Sequence, residues 1–259
     1  MKEAHLINKI LIVVLAMTGF AMQSLQAADN LSIVVYGASG RVGEVIVEVA
    51  LERGHKVTGI SRHPEKLQFK HKNFTAAQGD LMDVNSIAGF ARGADALVIS
   101  VSAKASDNRP ENSLIVEATR NVQEALSKLE SKPYIVQIGS ANLMYGSTFA
   151  EVSKNMNKVH FPYEEGTPMY AVLFGHQLSL QSYQASTLDW TILAPPLRIL
   201  GIYADKDKTT ARGNYRTSTS APLVAADGSK SIYVRDLAGA TVNEIENRNF
   251  VRQVFTVAY

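Results

Sequence analysis

Cysteine is absent from this sequence of 259 residues. Without thiols, disulfide frameworks and thiolate metal sites are excluded. This absence permits an oxidising compartment but does not require one. The histidines show none of the spacings that metal ligands need, so we predict no metal site; they are His5, His55, His63, His71, His160 and His176.

An excess of charge of one sign is also missing. The chain has 26 Lys and Arg against 24 Asp and Glu, a formal net charge of +2, and no run of five like charges. Nucleic-acid-binding proteins usually carry a basic stripe, so we exclude that function. Hydrophobic residues make up 46% and charged residues 19%, which indicates a packed core. The length suits one sizeable α/β domain or two small ones.

Long hydrophobic runs are missing as well. Ile10–Phe20 is apolar apart from Thr18 and Gly19, but a membrane-spanning helix needs about 20 apolar residues. Lys2 and Lys9 precede this run and small residues follow it. A basic N-terminal region, a short apolar run and small residues at the end of it are typical of a secretory signal peptide.

We therefore predict that residues 1–27 are a signal peptide and that cleavage follows Ala27. The mature chain, residues 28–259, would be periplasmic or secreted and would keep no membrane span. The alternative is that translation begins at Met17 or Met22 and gives a cytoplasmic protein. That alternative suits any cofactor that is a cytoplasmic metabolite.

Short β-branched runs alternate with stretches of helical periodicity through most of the chain. This alternation predicts a parallel sheet covered by helices on both faces, a doubly wound α/β fold of the Rossmann type. The predicted strands are Leu31–Tyr36, Lys56–Ile60, Phe74–Ala76, Ala96–Ser100, Tyr134–Ile138, Trp190–Ala194 and Val254–Ala258. The predicted helices are a first one from Val42 to the stop at Gly54, then Val84–Ala91, Asn112–Leu129, Thr167–Ser186 and Val234–Glu246.

The alternation of predicted strands and helices ends after Pro196. Residues 197–230 are rich in Gly, Thr, Ser, Asp and Lys and show no sustained period. We predict a small loop-rich lobe on the substrate side here, and no second domain.

Three glycines, Gly37, Gly40 and Gly43, separate the first predicted strand from the first predicted helix. Unpaired N–H groups and the helix dipole favour anions at a helix N-terminus, and glycine lets the backbone turn tightly there. A strand, a glycine triplet and a helix in this order predict a dinucleotide site with its pyrophosphate on the loop.

The glycine spacing, Gly-x-x-Gly-x-x-Gly, resembles that of the atypical members of the short-chain dehydrogenase/reductase superfamily. The likeness is to the NAD(P)H-binding group that contains NADH-flavin reductases, biliverdin reductase B-like flavin reductases and NmrA-like regulators. It covers roughly residues 31–259 and rests on five segments: 37–43, Gly79-Asp80-Leu81, Gly93-Ala94-Asp95-Ala96, 190–196 and 231–238.

Cofactor choice is determined at the end of the second strand. An acidic residue there binds a ribose 2′-hydroxyl, whereas Arg accommodates a 2′-phosphate. This chain has Ser61-Arg62-His63 and no carboxylate, and Arg41 in the glycine loop adds a second cation. Guanidinium matches phosphate through two parallel hydrogen bonds, so we predict NADP(H) in preference to NAD(H). The alternative is that Arg62 is only a solvated loop residue.

The resemblance implies further cofactor contacts. The whole loop 37–43, including Ser39, Arg41 and Val42, would hold the pyrophosphate. Asp80 and Leu81 would flank the adenine, Ser100 and Val101 would line the groove, and Pro195 with Pro196 would lie beside the nicotinamide. The two prolines would also end their strand in any protein.

The superfamily's usual Tyr-x-x-x-Lys pair is missing, since none of the ten tyrosines has Lys four residues later. A Gly-x-Ser-x-Gly elbow is missing too, which excludes an α/β-hydrolase. By resemblance, Ser140 and His176 are the candidate catalytic residues. The biliverdin reductase B-like enzymes have a second histidine where this chain has Leu197. A hydrogen-bonded core role remains an alternative for His176, and a strand-end contact for Ser140.

Without the usual acid, we expect hydride transfer to an electron-poor acceptor. The predicted function is an NADP(H)-dependent reductase of a flavin, a quinone or a small carbonyl compound. Two alternatives stay open: a non-catalytic NADP(H)-binding sensor or regulator, and a sugar-nucleotide epimerase-like enzyme.

Overall fold

The computed structural model describes residues 30–146, 149–157, 164–202, 207–225 and 227–259. The predicted signal peptide and the alternative starts at Met17 and Met22 lie outside them. The strands are β1 Ser32–Tyr36, β2 Lys56–Ser61, β3 Phe74–Gln78, β4 Ala96–Ile99, β5 Tyr134–Ile138, β6 Trp190–Ala194, β7 Arg198–Leu200, β8 Arg216–Ser218, β9 Ser231–Tyr233 and β10 Gln253–Ala258. The helices are α1 Gly43–Glu52, α2 Val84–Ala91, α3 Leu114–Ser127, α4 Phe149–Asn157, α5 Pro168–Gln184 and α6 Val234–Asn247.

In the described part of the chain, eight strands form one sheet in the order β3-β2-β1-β4-β5-β6-β10-β8. All neighbours pair in parallel except β8, which is antiparallel to β10. The strand order reverses between β1 and β4, and ligands of open α/β sheets bind at such a switch point, at the carboxyl ends of the strands. The predicted Rossmann-type fold is confirmed.

Helices cover both faces of the sheet because its central strands are buried on both sides. All five residues of β5 are buried, and so are all five of β6. One apolar layer includes Ile46 of α1 and Leu237 of α6, and the opposite layer includes Val122 of α3.

Two differences from the predicted elements have local causes. The predicted helix Asn112–Leu129 begins later, because Pro110–Asn112 forms a 3-10 turn and Ser113 is extended, with φ −74° and ψ 144°. Helix α4 was not predicted, since its one Ser and two Asn residues lower its helix propensity and its apolar residues are few.

The C-terminal region 197–230 divides between two structures. Strand β8 extends the main sheet as an antiparallel edge, which its three residues are too few to signal in sequence. Strand β7 pairs in parallel with β9 in a separate two-stranded sheet that follows the carboxyl end of β6. Leu31–Tyr259 nevertheless forms one compact unit. No helix in the described residues is both long enough and apolar enough to span a membrane.

A buried carboxylate ties this region to α6. Asp236 is 4% exposed and accepts hydrogen bonds from the backbone N–H groups of Arg212, at 2.7 Å, and Gly213, at 3.0 Å. The hydroxyl of Tyr259 also donates to it. These bonds fix the approach to β8 by satisfying a buried charge.

Candidate functional site

The glycine loop leaves β1 at the switch point of the sheet. Gly37 has a φ of +81°, and a Cβ there would overlap the carbonyl oxygen of Ser100. A Cβ on Gly43 would overlap the carbonyl oxygen of Gly37. Two of the three glycines are therefore required by the close approach of the protein's own backbone, before any ligand is considered.

Gly40 has a different environment. Its N–H donates to the Gly37 carbonyl at 2.8 Å, and a Cβ on it would lie 3.0 Å from that oxygen. Helix α1 follows with Val42 at its N-cap, and no described side chain caps it. An N-terminus without a side-chain cap suits an anionic ligand, because the first N–H groups of a helix have no partner within the helix.

A cavity of about 510 Å³ lies beside this loop and is called here the glycine-loop cavity. It brings together most of the sequence-predicted cofactor residues: Gly37, Ser39, Gly40, Arg62, Asp80, Leu81, Ser100 and Val101. Arg41, Val42, Gly43 and Pro195 are not among its lining residues. The structure thus assembles the loop, the end of β2 and the end of β4 around one space.

Cationic side chains dominate the wall of this cavity at the end of β2. Arg62 and Lys66 line it and make no ion pair with any described residue, and Lys104 lines it after β4. His63 lies 3.4 Å from Glu65, and the Asp80 carboxylate accepts the N–H of Met82 at 3.1 Å. This balance of charge favours an anionic group near Arg62.

Lys66 and Lys104 were missed in the sequence. The 3-10 turn Pro64–Lys66 brings Lys66 back to the side of Arg62, and the Pro at its start was the available signal. Lys104 has no comparable signal, because its position depends on the extended course of the chain after β4.

A second cavity, of about 410 Å³, is called here the apolar cavity. It contains both candidate catalytic residues and Pro195, and it shares Val101 and Ser102 with the glycine-loop cavity. The two cavities therefore meet after the carboxyl end of β4. The remaining wall is mainly aliphatic and sulfur-containing: Ala103, Ala141, Met156, Met169, Val172, Leu173, Pro196, Leu197, Ile199 and Ile202.

His176 projects from α5 and is 5% exposed. Its Nδ1 atom is buried and has no hydrogen-bond partner among the described residues. Burial lowers the pKa of His176 to about 4, because desolvation disfavours the charged ring. The imidazole is therefore neutral at pH 7.

Ser140 follows β5 and precedes the 3-10 turn Ala141–Met144. It is partly buried, and its hydroxyl has no partner among the described residues. A Cβ on the preceding Gly139 would lie 2.5 Å from Ile192, so glycine lets β5 end tightly against β6. No Tyr, Lys, Asp or Glu of the described chain lines the apolar cavity.

No group of three or more His, Asp or Glu within the described residues is arranged to hold a metal ion.

Comparison with known proteins identifies the family of the chain. A family model described as NAD(P)H-binding matches residues 37–247, which is most of the chain. The chain belongs to this NAD(P)H-binding family. Its cofactor is a nicotinamide dinucleotide, as the glycine loop predicts.

Relatives share the whole fold. The uncharacterized protein YwnB of Bacillus subtilis (strain 168) is 27% identical over 225 residues, 86% of this chain and 96% of YwnB. A crystal structure of a "putative exported protein" from Burkholderia pseudomallei is 27% identical with a TM-score of 0.69, and covers 88% of this chain and 100% of that one. SP1627 of Streptococcus pneumoniae TIGR4, a "putative NADH-flavin reductase", is 21% identical with a TM-score of 0.69, over 88% and 98% of the two chains.

The residues present fit a nicotinamide dinucleotide. Gly37 and Gly43 of the loop have no room for a Cβ, and the helix behind the loop has no side-chain cap. The adjoining cavity has a cationic wall at the end of β2 and opens into a mainly apolar cavity. A phosphate-bearing ligand with one ring system in each cavity matches this arrangement.

Proposed function

We propose that this protein is an NADP(H)-dependent reductase that transfers a hydride to a flavin, a quinone or a small carbonyl acceptor. The observation that carries the proposal is the meeting of the two cavities at Val101 and Ser102. This junction suits a dinucleotide in the glycine-loop cavity that delivers its reactive end beside an acceptor in the apolar cavity.

The proposed cofactor contacts follow the walls of the two cavities. The glycine loop, with Gly37, Ser39, Gly40, Arg41, Val42 and Gly43, holds the pyrophosphate. Asp80 and Leu81 flank the adenine, and Ser100, Val101 and Pro195 line the path to the nicotinamide. Arg62, with Lys66 near it, binds the 2′-phosphate of NADP(H), and Arg41 adds charge from outside the cavity lining. Arg62 and Lys66 form no ion pair with a described residue, and no carboxylate occupies the position of Arg62 after β2. Both features favour NADP(H) over NAD(H).

The nicotinamide, when bound, supplies a hydride. The protein's part is to bind, to orient and to exclude water from the apolar cavity. Ser140 donates a hydrogen bond to the acceptor, and the neutral His176 polarises it without releasing a proton. The remaining proton comes from solvent, so an acceptor that accepts electrons readily is the best match to this site.

Two measurements on the purified chain test this function. Titration with NADPH and NADH gives cofactor preference, and consumption of NADPH is then followed with FMN, a benzoquinone and an aldehyde. Reduction of at least one acceptor class supports the proposal, and tight NADPH binding without any reduction contradicts it.

A second candidate is a non-catalytic NADP(H) sensor. It is favoured because no Tyr, Lys, Asp or Glu among the described residues lines the apolar cavity and because burial lowers the pKa of His176. Such a sensor would bind NADPH and reduce none of the three acceptors. A sugar-nucleotide epimerase-like reaction fits less well. That reaction would also need the missing tyrosine acid, and the polar sugar would contact a mainly apolar wall.

We also propose that the protein is exported after removal of residues 1–27. The tripartite N-terminus supports this, and the Burkholderia relative is described as exported. Mass spectrometry of the protein from its own host is expected to find a chain that begins at Ala28 or within a few residues of it. A chain that begins at Met1, Met17 or Met22 would contradict export.

A further inference from the structure

Arg198 lies at the rim of the apolar cavity. It is the first residue of β7, three residues after Pro195, and its N–H donates to the Lys230 carbonyl at 3.1 Å. The side chain is exposed and also lines the cavity, so it borders both solvent and the cavity interior. The short β7–β9 sheet fixes the backbone from which this side chain extends.

The charge at this rim has no counter-ion. The guanidinium of Arg198 makes no ion pair or hydrogen bond with any described residue, and among the described residues that line the cavity it alone is permanently charged. His176 is neutral at pH 7 because burial lowers its pKa. No carboxylate compensates the positive charge inside the cavity.

A second cation lies on the adjoining strand connection. Lys230 borders a small cleft that shares Pro195, Pro196 and Leu197 with the apolar cavity. Its Nζ atom lies 5.8 Å from the centroid of the Tyr145 ring. No carboxylate lines this cleft among the described residues either, so Arg198 and Lys230 place two cations on this side of the cavity.

An apolar interior with an unpaired guanidinium at its rim favours a ligand with an apolar body and an anionic group. The interior favours a ring system or another apolar body, because its burial removes apolar surface from water. The guanidinium favours a phosphate or carboxylate, which it binds through two parallel hydrogen bonds. A neutral or cationic substituent at the rim gains nothing comparable.

We propose that Arg198 determines acceptor specificity, and that the physiological acceptor joins an apolar, reducible body to an anionic group. This inference rests on the proposed reductase function, since it describes the acceptor of that reaction. Arg198 binds the anionic substituent and takes no part in hydride transfer. The phosphate of a flavin mononucleotide and the carboxylate of an acidic quinone share the required chemistry.

FMN and riboflavin provide the sharpest test, because they have the same isoalloxazine ring and differ by one phosphate. Binding of each flavin is measured by fluorescence quenching with NADP⁺ present, and kcat/KM by NADPH consumption. We expect the parent protein to favour FMN over riboflavin by about 2- to 5-fold, the upper part of the range of one exposed charge pair. Arg198→Gln should abolish that preference, and Arg198→Lys should keep part of it.

A naphthoquinone pair with and without a carboxylate separates carboxylate from phosphate recognition. Arg92→Gln is the matched control, since Arg92 is exposed and lines neither cavity. It should leave every ratio unchanged, and NADPH affinity should be the same in Arg198→Gln as in the parent. Equal binding of FMN and riboflavin, binding of neither, or an unchanged ratio in Arg198→Gln would each overturn the inference. Binding of FMN through Arg198 without turnover would instead overturn only the reductase function.

Discussion

The two cavities of the site are built from different materials. The glycine-loop cavity depends on main-chain geometry, because a Cβ at Gly37 or Gly43 would overlap a carbonyl oxygen of the protein itself. The apolar cavity depends on side chains such as Met156, Leu197 and Ile202, which other apolar residues of similar volume could replace. The glycine-loop cavity therefore restricts the class of cofactor, whereas substitutions in the apolar cavity can change the acceptor.

The largest effect should come from breaking the main-chain construction. Gly37→Ala places a Cβ against the Ser100 carbonyl and forces alanine to a φ of +81°, and we expect the free energy of unfolding to fall by about 4 kcal/mol. Urea denaturation measures it. Gly93→Ala is the matched control, because its φ is +76° but nothing lies within 4 Å of the added Cβ.

The control should cost about 1–2 kcal/mol, the strain of the left-handed conformation alone. Equal losses in the two variants would mean that contact with Ser100 contributes nothing to the requirement for glycine at position 37.

The apolar cavity should instead make the protein sensitive to acid. The folded-state pKa of His176, about 4, lies below its ordinary value of 6.5. Its stabilising contribution is thus complete above pH 6.5 and is lost as the pH falls from 6.5 toward 4, about 3 kcal/mol in total. His176→Leu should lose less stability over that interval than the parent in urea denaturation.

An exposed histidine gives the comparison for this experiment. His71→Gln should retain the acid sensitivity of the parent, because the side chain it replaces is exposed. Parallel pH profiles for the parent and His176→Leu would show that the buried ring is not the source of the effect.

A smaller effect is expected on turnover. Ser140→Ala and His176→Leu should each lower kcat/KM for the acceptor by about 10- to 100-fold, because each removes an oriented polar group from the apolar cavity. The dissociation constant of NADPH, measured by calorimetry, should stay within about twofold. A large loss of NADPH affinity in either variant would contradict the division of labour between the two cavities.

The smallest effect concerns cofactor preference. Arg62→Ala should reduce the preference for NADPH over NADH by about 10-fold, through the loss of one charge-assisted contact. Lys66→Ala should act in the same direction. Calorimetry that finds equal affinity for NADPH and NADH in the parent would remove the basis for both expectations.

The sequence predicted the main-chain part of the molecule more completely than the side-chain part. The strands and the glycine loop depend on patterns within a few residues, and the lining of the glycine-loop cavity includes eight of the predicted cofactor residues. The place of Lys104 in the cavity wall depends on the three-dimensional path of the chain, so no local sequence pattern predicts it. Arg198 was overlooked because an arginine after two prolines predicts no function until the neighbouring cavity is known.

Helix α4 and strand β8 escaped prediction for a related reason. Both are short, and both owe their conformation to neighbours: Val152 and Met156 of α4 are buried in a small cluster with Phe174, and β8 pairs with β10. Tertiary contacts of this kind override weak local propensities.

The glycine loop has a further consequence for the thermodynamics of binding. Its shape is imposed when the chain folds, by the Gly40 N–H to Gly37 carbonyl bond and by the close approach of neighbouring backbone, which leaves no room for a Cβ at Gly37 or Gly43. A ligand that docks there meets a preorganised cradle and need not order it, so little conformational entropy is lost at that point. The heat-capacity change of cofactor binding should then reflect mainly the apolar surface that is buried.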